Sequence, residues 1–83
     1  MKVQIKYFAS IREAVGSGAE TLDTSALTVA DLRDELISRG AGYAESLARG
    51  KAVRVALNQT LSEESVALLE GAEVAFFPPV TGG

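Results

Sequence analysis

Hydrophobic and polar residues alternate from the first positions of the chain. Val3, Ile5 and Tyr7 fall on one side of an extended backbone, and Lys2, Gln4, Lys6 and Phe8 on the other, which is the period of a strand with one buried face. Three polar residues mark the second side as the wet one, so Phe8 is an aromatic of solvent-side parity or a strand-end residue. Ser10-Ile11-Arg12-Glu13 then has the spacing of a capping box. It predicts a short helix with Ile11, Ala14 and Val15 inward, closed by Gly16 and Gly18. A weaker strand is expected over Glu20 to Leu22.

Thr28-Val29-Ala30-Asp31 is a second helix start, in the looser form that ends on an acid. Val29, Leu32, Leu36 and Ile37 recur at helical spacing and predict the main amphipathic helix, which Gly40 stops. Between Gly42 and Gly50 the pattern is less distinct; Tyr43, Ala44, Leu47 and Ala48 allow a short helical turn. Val53 to Leu57 alternates again, with Val53, Val55 and Leu57 facing in. Asn58-Gln59 is turn chemistry, and Leu61 opens a short strand. Leu68-Leu69-Glu70-Gly71 is a turn. Glu73 to Phe77 is the last strand, with Val74 and Phe76 in and Ala75 and Phe77 out. Pro78-Pro79 offers no N–H to a neighbour and ends the sheet. The order predicts an α+β fold in which a sheet wraps one main helix. Residues 1–79 form the domain, and 80–83 form a flexible tail, Val80-Thr81-Gly82-Gly83.

Composition narrows the chemistry. A chain of 83 residues is one domain. It has no Cys and no His, so disulfides, a Cys/His zinc site, a thiolate nucleophile and an imidazole base are all excluded. The net charge of -3 is spread without a basic stripe, which argues against nucleic acid as a partner. No signal peptide and no membrane-length apolar run is present, so the expected location is the cytoplasm. Glu63-Glu64 and Asp31, Asp34 and Glu35 read as solvated carboxylates. Gly16-Ser17-Gly18 lacks the Lys and the following helix of a phosphate loop. The chain offers no active site of its own.

The tail is the exception. Two terminal glycines arise by chance in roughly one chain in two hundred, a weak signal alone. Here they follow a strand, are released by two prolines, and close a run from Phe76 to Gly83 with no charged side chain. Glycines lack a Cβ, so such an arm can thread a narrow channel. Its carboxylate, with a pKa of about 3.5, is ionised and a poor electrophile. To accept sulfur it must first be activated, most simply as an acyl adenylate made from ATP. The bland alternative is a frayed chain end. A second signal is the parity of Phe8 and Phe77, which leaves two aromatics outside the core, with Leu61 able to join them. Clustered exposed aromatics mark a partner surface, unless one tucks under a loop.

The run Glu73-Val74-Ala75-Phe76-Phe77-Pro78-Pro79-Val80-Thr81-Gly82-Gly83 resembles the C-terminal signature of the small subunits of molybdopterin synthase, a family of ubiquitin-like sulfur carriers. Leu57-Asn58-Gln59-Thr60-Leu61 and the opening Tyr7-Phe8-Ala9 with Ile11-Arg12-Glu13 are similar to it as well. The resemblance implies a β-grasp fold. It implies that a separate ubiquitin-activating-like adenylyltransferase uses ATP to adenylate Gly83, which then becomes a thiocarboxylate, with Gly82 serving to thread the tail. It implies a large catalytic subunit as partner, in a heterotetramer, where the sulfur passes to cyclic pyranopterin monophosphate. The large subunit would supply the catalytic side chains, and this chain would bind no cofactor or metal. By position Phe8, Leu61 and Phe77 match the family's partner-facing hydrophobic residues. Arg12 matches an interface position, its alternative being a solvated helix charge. A carrier for another pathway such as thiazole synthesis, a modifier of lysines, and a plain interaction domain are the competing readings.

Overall fold

The alternation at the N-terminus becomes β1 (Lys2–Tyr7), with Val3, Ile5 and Tyr7 buried and Lys2 and Gln4 exposed. In this computed structural model, which describes residues 1–79, the chain continues through α1 (Ala9–Val15), β2 (Ala19–Asp23), α2 (Val29–Ile37), α3 (Ala41–Leu47), β3 (Arg54–Leu57), β4 (Thr60–Ser62) and β5 (Glu73–Phe77). The strands form one sheet in the order β2-β1-β5-β3-β4. The first and last strands lie parallel at its centre, and every other pairing is antiparallel. The mixed sheet with helices against one face is the β-grasp arrangement.

That face holds the core: Val3 and Ile5 of β1, Val74 and Phe76 of β5, Val55 of β3, and Leu32 and Leu36 of α2, with Ile11 of α1 and Leu47 of α3. Tyr7 stacks on Phe76 with centroids 6.3 Å apart and meets Tyr43 edge-on at 6.0 Å, offset geometries that aromatic quadrupoles favour. The second helix starts as its sequence predicts. The Thr28 side chain accepts a hydrogen bond from the Asp31 N–H at 3.1 Å. Asn58 and Gln59, both at positive φ, form the two-residue turn that joins β3 to β4, as hairpin twist requires.

The first helix does not start on Ser10. The N-cap is Phe8, with no side-chain capping bond. The reason lies in β5. The Phe8 N–H is drawn to the Phe76 carbonyl at 3.1 Å, and the Phe8 carbonyl then receives the Ile11 and Arg12 N–H groups. Ala9, at φ 52°, makes the bend between them. Strand pairing therefore fixes the helix start, and Ser10 lies inside the first turn.

Two further departures come from polar groups. Arg33 lies on the inner side of α2, 4% exposed. Its Nε donates to the Leu47 carbonyl at 2.7 Å, its Nη2 to the Ala48 and Lys51 carbonyls, and its Nη1 to Glu64 at 2.6 Å. It thus binds carbonyls at and just beyond the end of α3 and places positive charge there. Glu64, read from sequence as a solvated loop carboxylate, is instead shared between Arg33 and Arg49. Asp34 also pairs with Arg49, and Glu35 accepts from Thr24.

Glu20 on β2 collects three donors: Tyr7 and Tyr43 hydroxyls at 2.8 Å each, and Arg39 at 2.8 Å. Burial acts to raise the Glu20 carboxyl, but hydrogen bonds from Arg39, Tyr43 and Tyr7 outweigh it and hold the group below its ordinary value. A carboxylate depressed in the folded state contributes stability above its unfolded pKa of about 4.3, lost as pH falls through the lower folded value. Glu20→Gln is accordingly expected to narrow the gap in melting temperature between pH 7 and pH 3. An unchanged gap would place the acid sensitivity elsewhere.

Candidate docking face and the base of the tail

All three helices lie on the core side, so the opposite face of the sheet is open. The register lays out its surface in rows. Lys6, Ala75, Ala56 and Leu61 follow one another from β1 across β5 and β3 to β4. The next row holds Phe8, one step past the Tyr7–Phe76 pair, then Phe77, then Arg54, which is paired directly with Phe77. Phe8 is 47% and Leu61 58% exposed, and Phe77 is half-buried. Alternation places all three on the open side, because their neighbours Tyr7 and Phe76 are buried.

Ala75 corrects the sequence reading in part. It has the open-face parity expected of it, yet it is 8% exposed. A methyl group at the middle of the sheet, in register with Lys6 and Ala56, does not rise above the side chains around it. Ala75 and Ala56 thereby make a low floor between the aromatic pair and Leu61. Lys6 is tied to Glu73 at 3.3 Å on the same face.

Arg12 is exposed on α1, one helical turn behind Phe8, whose carbonyl accepts its N–H. Its guanidinium makes no hydrogen bond or ion pair among the described residues. The strand β5 delivers the chain to Pro78 and Pro79 beside Phe77. Gly82 and Gly83 lie outside the described residues. The structure thus brings Phe8 and Phe77 together in one row at the base of the tail, sets Leu61 across the alanine floor, and holds Arg12 behind Phe8. Among the described residues, no group of His, Cys, Asp and Glu can hold a metal ion, and no helix is long and apolar enough to cross a membrane.

The chain belongs to the ThiS family, whose model matches residues 5–83. It is 41% identical over 98% of its length, and 99% of the relative's, to the molybdopterin synthase sulfur carrier subunit of Haemophilus influenzae. Among solved structures it is similar to small archaeal modifier protein 1 of H. volcanii, with 26% identity, TM-score 0.78, and 95% and 98% of the two chains covered. It also resembles a chain in the complex of subunits 1 and 2 of the molybdopterin-converting factor from Helicobacter pylori, with 26% identity, TM-score 0.69 and both chains fully covered. The function these likenesses define is sulfur carriage of the molybdopterin synthase type.

Proposed function

We propose that Gly83 carries the sulfur and that the open sheet face delivers it. The carboxylate oxygen of Gly83 attacks the α-phosphorus of ATP on a ubiquitin-activating-like adenylyltransferase, and pyrophosphate leaves. A sulfide-level nucleophile then attacks the acyl carbon, AMP leaves, and a thiocarboxylate remains. The chain itself supplies no acid, base or cofactor to either step. Its part is to dock through Phe8, Leu61 and Phe77, with Arg12 at the margin, and to present the tail through Gly82 to the large subunit of molybdopterin synthase in the cytoplasm. There the thiocarboxylate sulfur bonds to a carbon of cyclic pyranopterin monophosphate, displacing an oxygen substituent. Water then cleaves the acyl–sulfur bond, so that the sulfur stays on the pterin and Gly83 returns to a carboxylate. The observation that carries this reading is the pairing of two aromatics, misplaced for a core, at the base of a Gly-Gly tail.

The test is the intact mass of the chain after incubation with ATP, the host's activating enzyme and a sulfur source. One oxygen-for-sulfur exchange, mapped to Gly83, is expected. No change with partners proven active would overturn the assignment. The likeness to a small archaeal modifier protein favours a second reading, in which the same activated Gly83 forms an isopeptide bond. Lysine adducts of the chain in cells, without thiocarboxylate, would select it.

The docking face carries its own prediction. Phe77→Ala should weaken binding to the large subunit at least about tenfold, the loss typical of a central aromatic contact. Because Phe77 is only half-buried in the free chain, its melting temperature should fall far less than a core truncation would cause. A large stability loss with unchanged affinity would assign Phe77 to the core.

A further inference from the structure

We propose that Arg54 is a specificity contact of the docking face, presenting its guanidinium to a carboxylate on the protein that covers Phe8 and Phe77; this rests on the docking role proposed for that face. Three of the other four arginines serve the fold. Arg33 binds three carbonyls and Glu64, Arg39 binds Glu20 and lies over the Tyr43 ring, and Arg49 binds Asp34 and Glu64. The fourth, Arg12, is without a partner among the described residues, but it sits on α1 and already has a place at the margin of the docking face. Arg54 is exposed and makes no hydrogen bond or ion pair among the described residues.

Its position is set by the ladder. Arg54 is paired with Phe77 across β3 and β5, so both side chains leave the sheet on the open face, in the row that Phe8 begins. A cation on an edge strand guards against stray pairing, but β3 is not an edge, since β4 flanks it. Lys6, the cation of the adjacent row on the sheet, is already tied to Glu73 at 3.3 Å. What remains on that row is an apolar patch ending in an unspent guanidinium. Such a group is weakly hydrated, planar and able to donate two parallel bonds, so it suits a carboxylate at the rim of an apolar contact.

Of the two acids in the groove beside Arg54, Glu64 is held by Arg33 and Arg49, which leaves Glu63. Val55 pairs with Ser62, so the next step along both strands sets Glu63 opposite Arg54, and the two line one open groove with Leu61. They are not within 4.0 Å of each other as an ion pair. Their juxtaposition gives the test its sign. If Arg54 served the fold through Glu63, altering either residue would act in the same direction. If Arg54 receives a partner carboxylate, Glu63 repels that group, and the two substitutions must act in opposite directions.

The experiment is the association rate of the full chain with its large subunit, measured at low and high salt for the unaltered chain, Arg54→Glu and Glu63→Lys. Arg54→Glu is expected to slow association about tenfold at low salt, and Glu63→Lys to speed it, both effects shrinking as salt screens the charges. Melting temperatures are recorded so that any folding defect is seen, and Arg54→Gln provides a milder variant. Rates that are unchanged, or that fall for both substitutions, would overturn the inference while leaving the docking face intact. Failure of the unaltered chain to bind the large subunit would remove the docking reading and the inference together.

Discussion

A chain that ends at Gly82 is expected to transfer no sulfur and to melt where the full chain melts. The second half follows from the fold: every strand, helix, side-chain network and core residue described lies between Met1 and Phe77. The first half follows from reach. Each extended residue spans at most about 3.3–3.6 Å, so losing one withdraws the reacting carbon by about that much. Reaction requires the attacking and attacked atoms to approach to about 3–3.5 Å, and a misplacement of about 1 Å already costs on the order of a hundredfold. On the proposed docking through Phe8, Leu61 and Phe77, no compensating shift of the domain is available, because a docked face would fix where the tail begins. The same reasoning makes an extra residue after Gly83 equally disabling. Product formation by the purified synthase, with the carrier saturating, is the readout. Synthesis by the shortened chain would sink the mechanism. A depressed melting temperature would show that the tail also supports the fold.

The elements with one dry and one wet face were legible from sequence because alternation has a single physical cause. In β1, and for Val74 and Phe76 of β5, the buried members were read correctly, while Ala75, read as outward, is buried as well. The same parity left Phe8 and Phe77 on the open side, where the structure has them. The second helix was legible for a related reason, since Thr28 caps it through a local bond that needs no tertiary contact. Ser10 failed where Thr28 succeeded. Its local signal competed with a bond from Phe8 to Phe76, a residue far along the chain, and no window of sequence contains both partners. Arg33 was missed because hydropathy assigns a charge to the surface. Its burial depends on carbonyls at the end of α3 that exist only once the helices pack. Arg54 is hidden in the opposite way. Nothing in Val53-Arg54-Val55 distinguishes it from an ordinary solvated strand charge until the register sets it beside Phe77.

Gly42 is the glycine, among the described residues, whose replacement should damage the fold most, and nothing in its neighbourhood in the sequence announces it. A Cβ added there would lie 1.7 Å from the Ala14 carbonyl oxygen and 2.4 Å from its carbon. Both are backbone atoms of α1, so no rotamer change can relieve the overlap. The two helices would have to separate, and they are packed through buried Ile11 and Leu47 against a shared core. Overpacking a core costs about 1–3 kcal/mol even where side chains can adjust; here they cannot, and Gly42→Ala should lose at least about 3 kcal/mol. At about 4–8 °C per kcal/mol for a domain of this size, the melting temperature falls by roughly 12–24 °C. Two other glycines separate space from conformation. Gly50 has nothing within 4 Å of an added Cβ, so Gly50→Ala should be nearly silent. Gly40 has equal room but sits at φ 76° and ψ −163°, a region open almost only to glycine, so Gly40→Ala should cost about 1–3 kcal/mol through the backbone alone. If Gly42→Ala melts no lower than Gly40→Ala, the close approach of α1 and α3 is not what holds them. If it melts far lower, the helix that begins at Phe8 is anchored by a contact between two backbones, and the aromatic row at the base of the tail depends on a residue on the other side of the sheet.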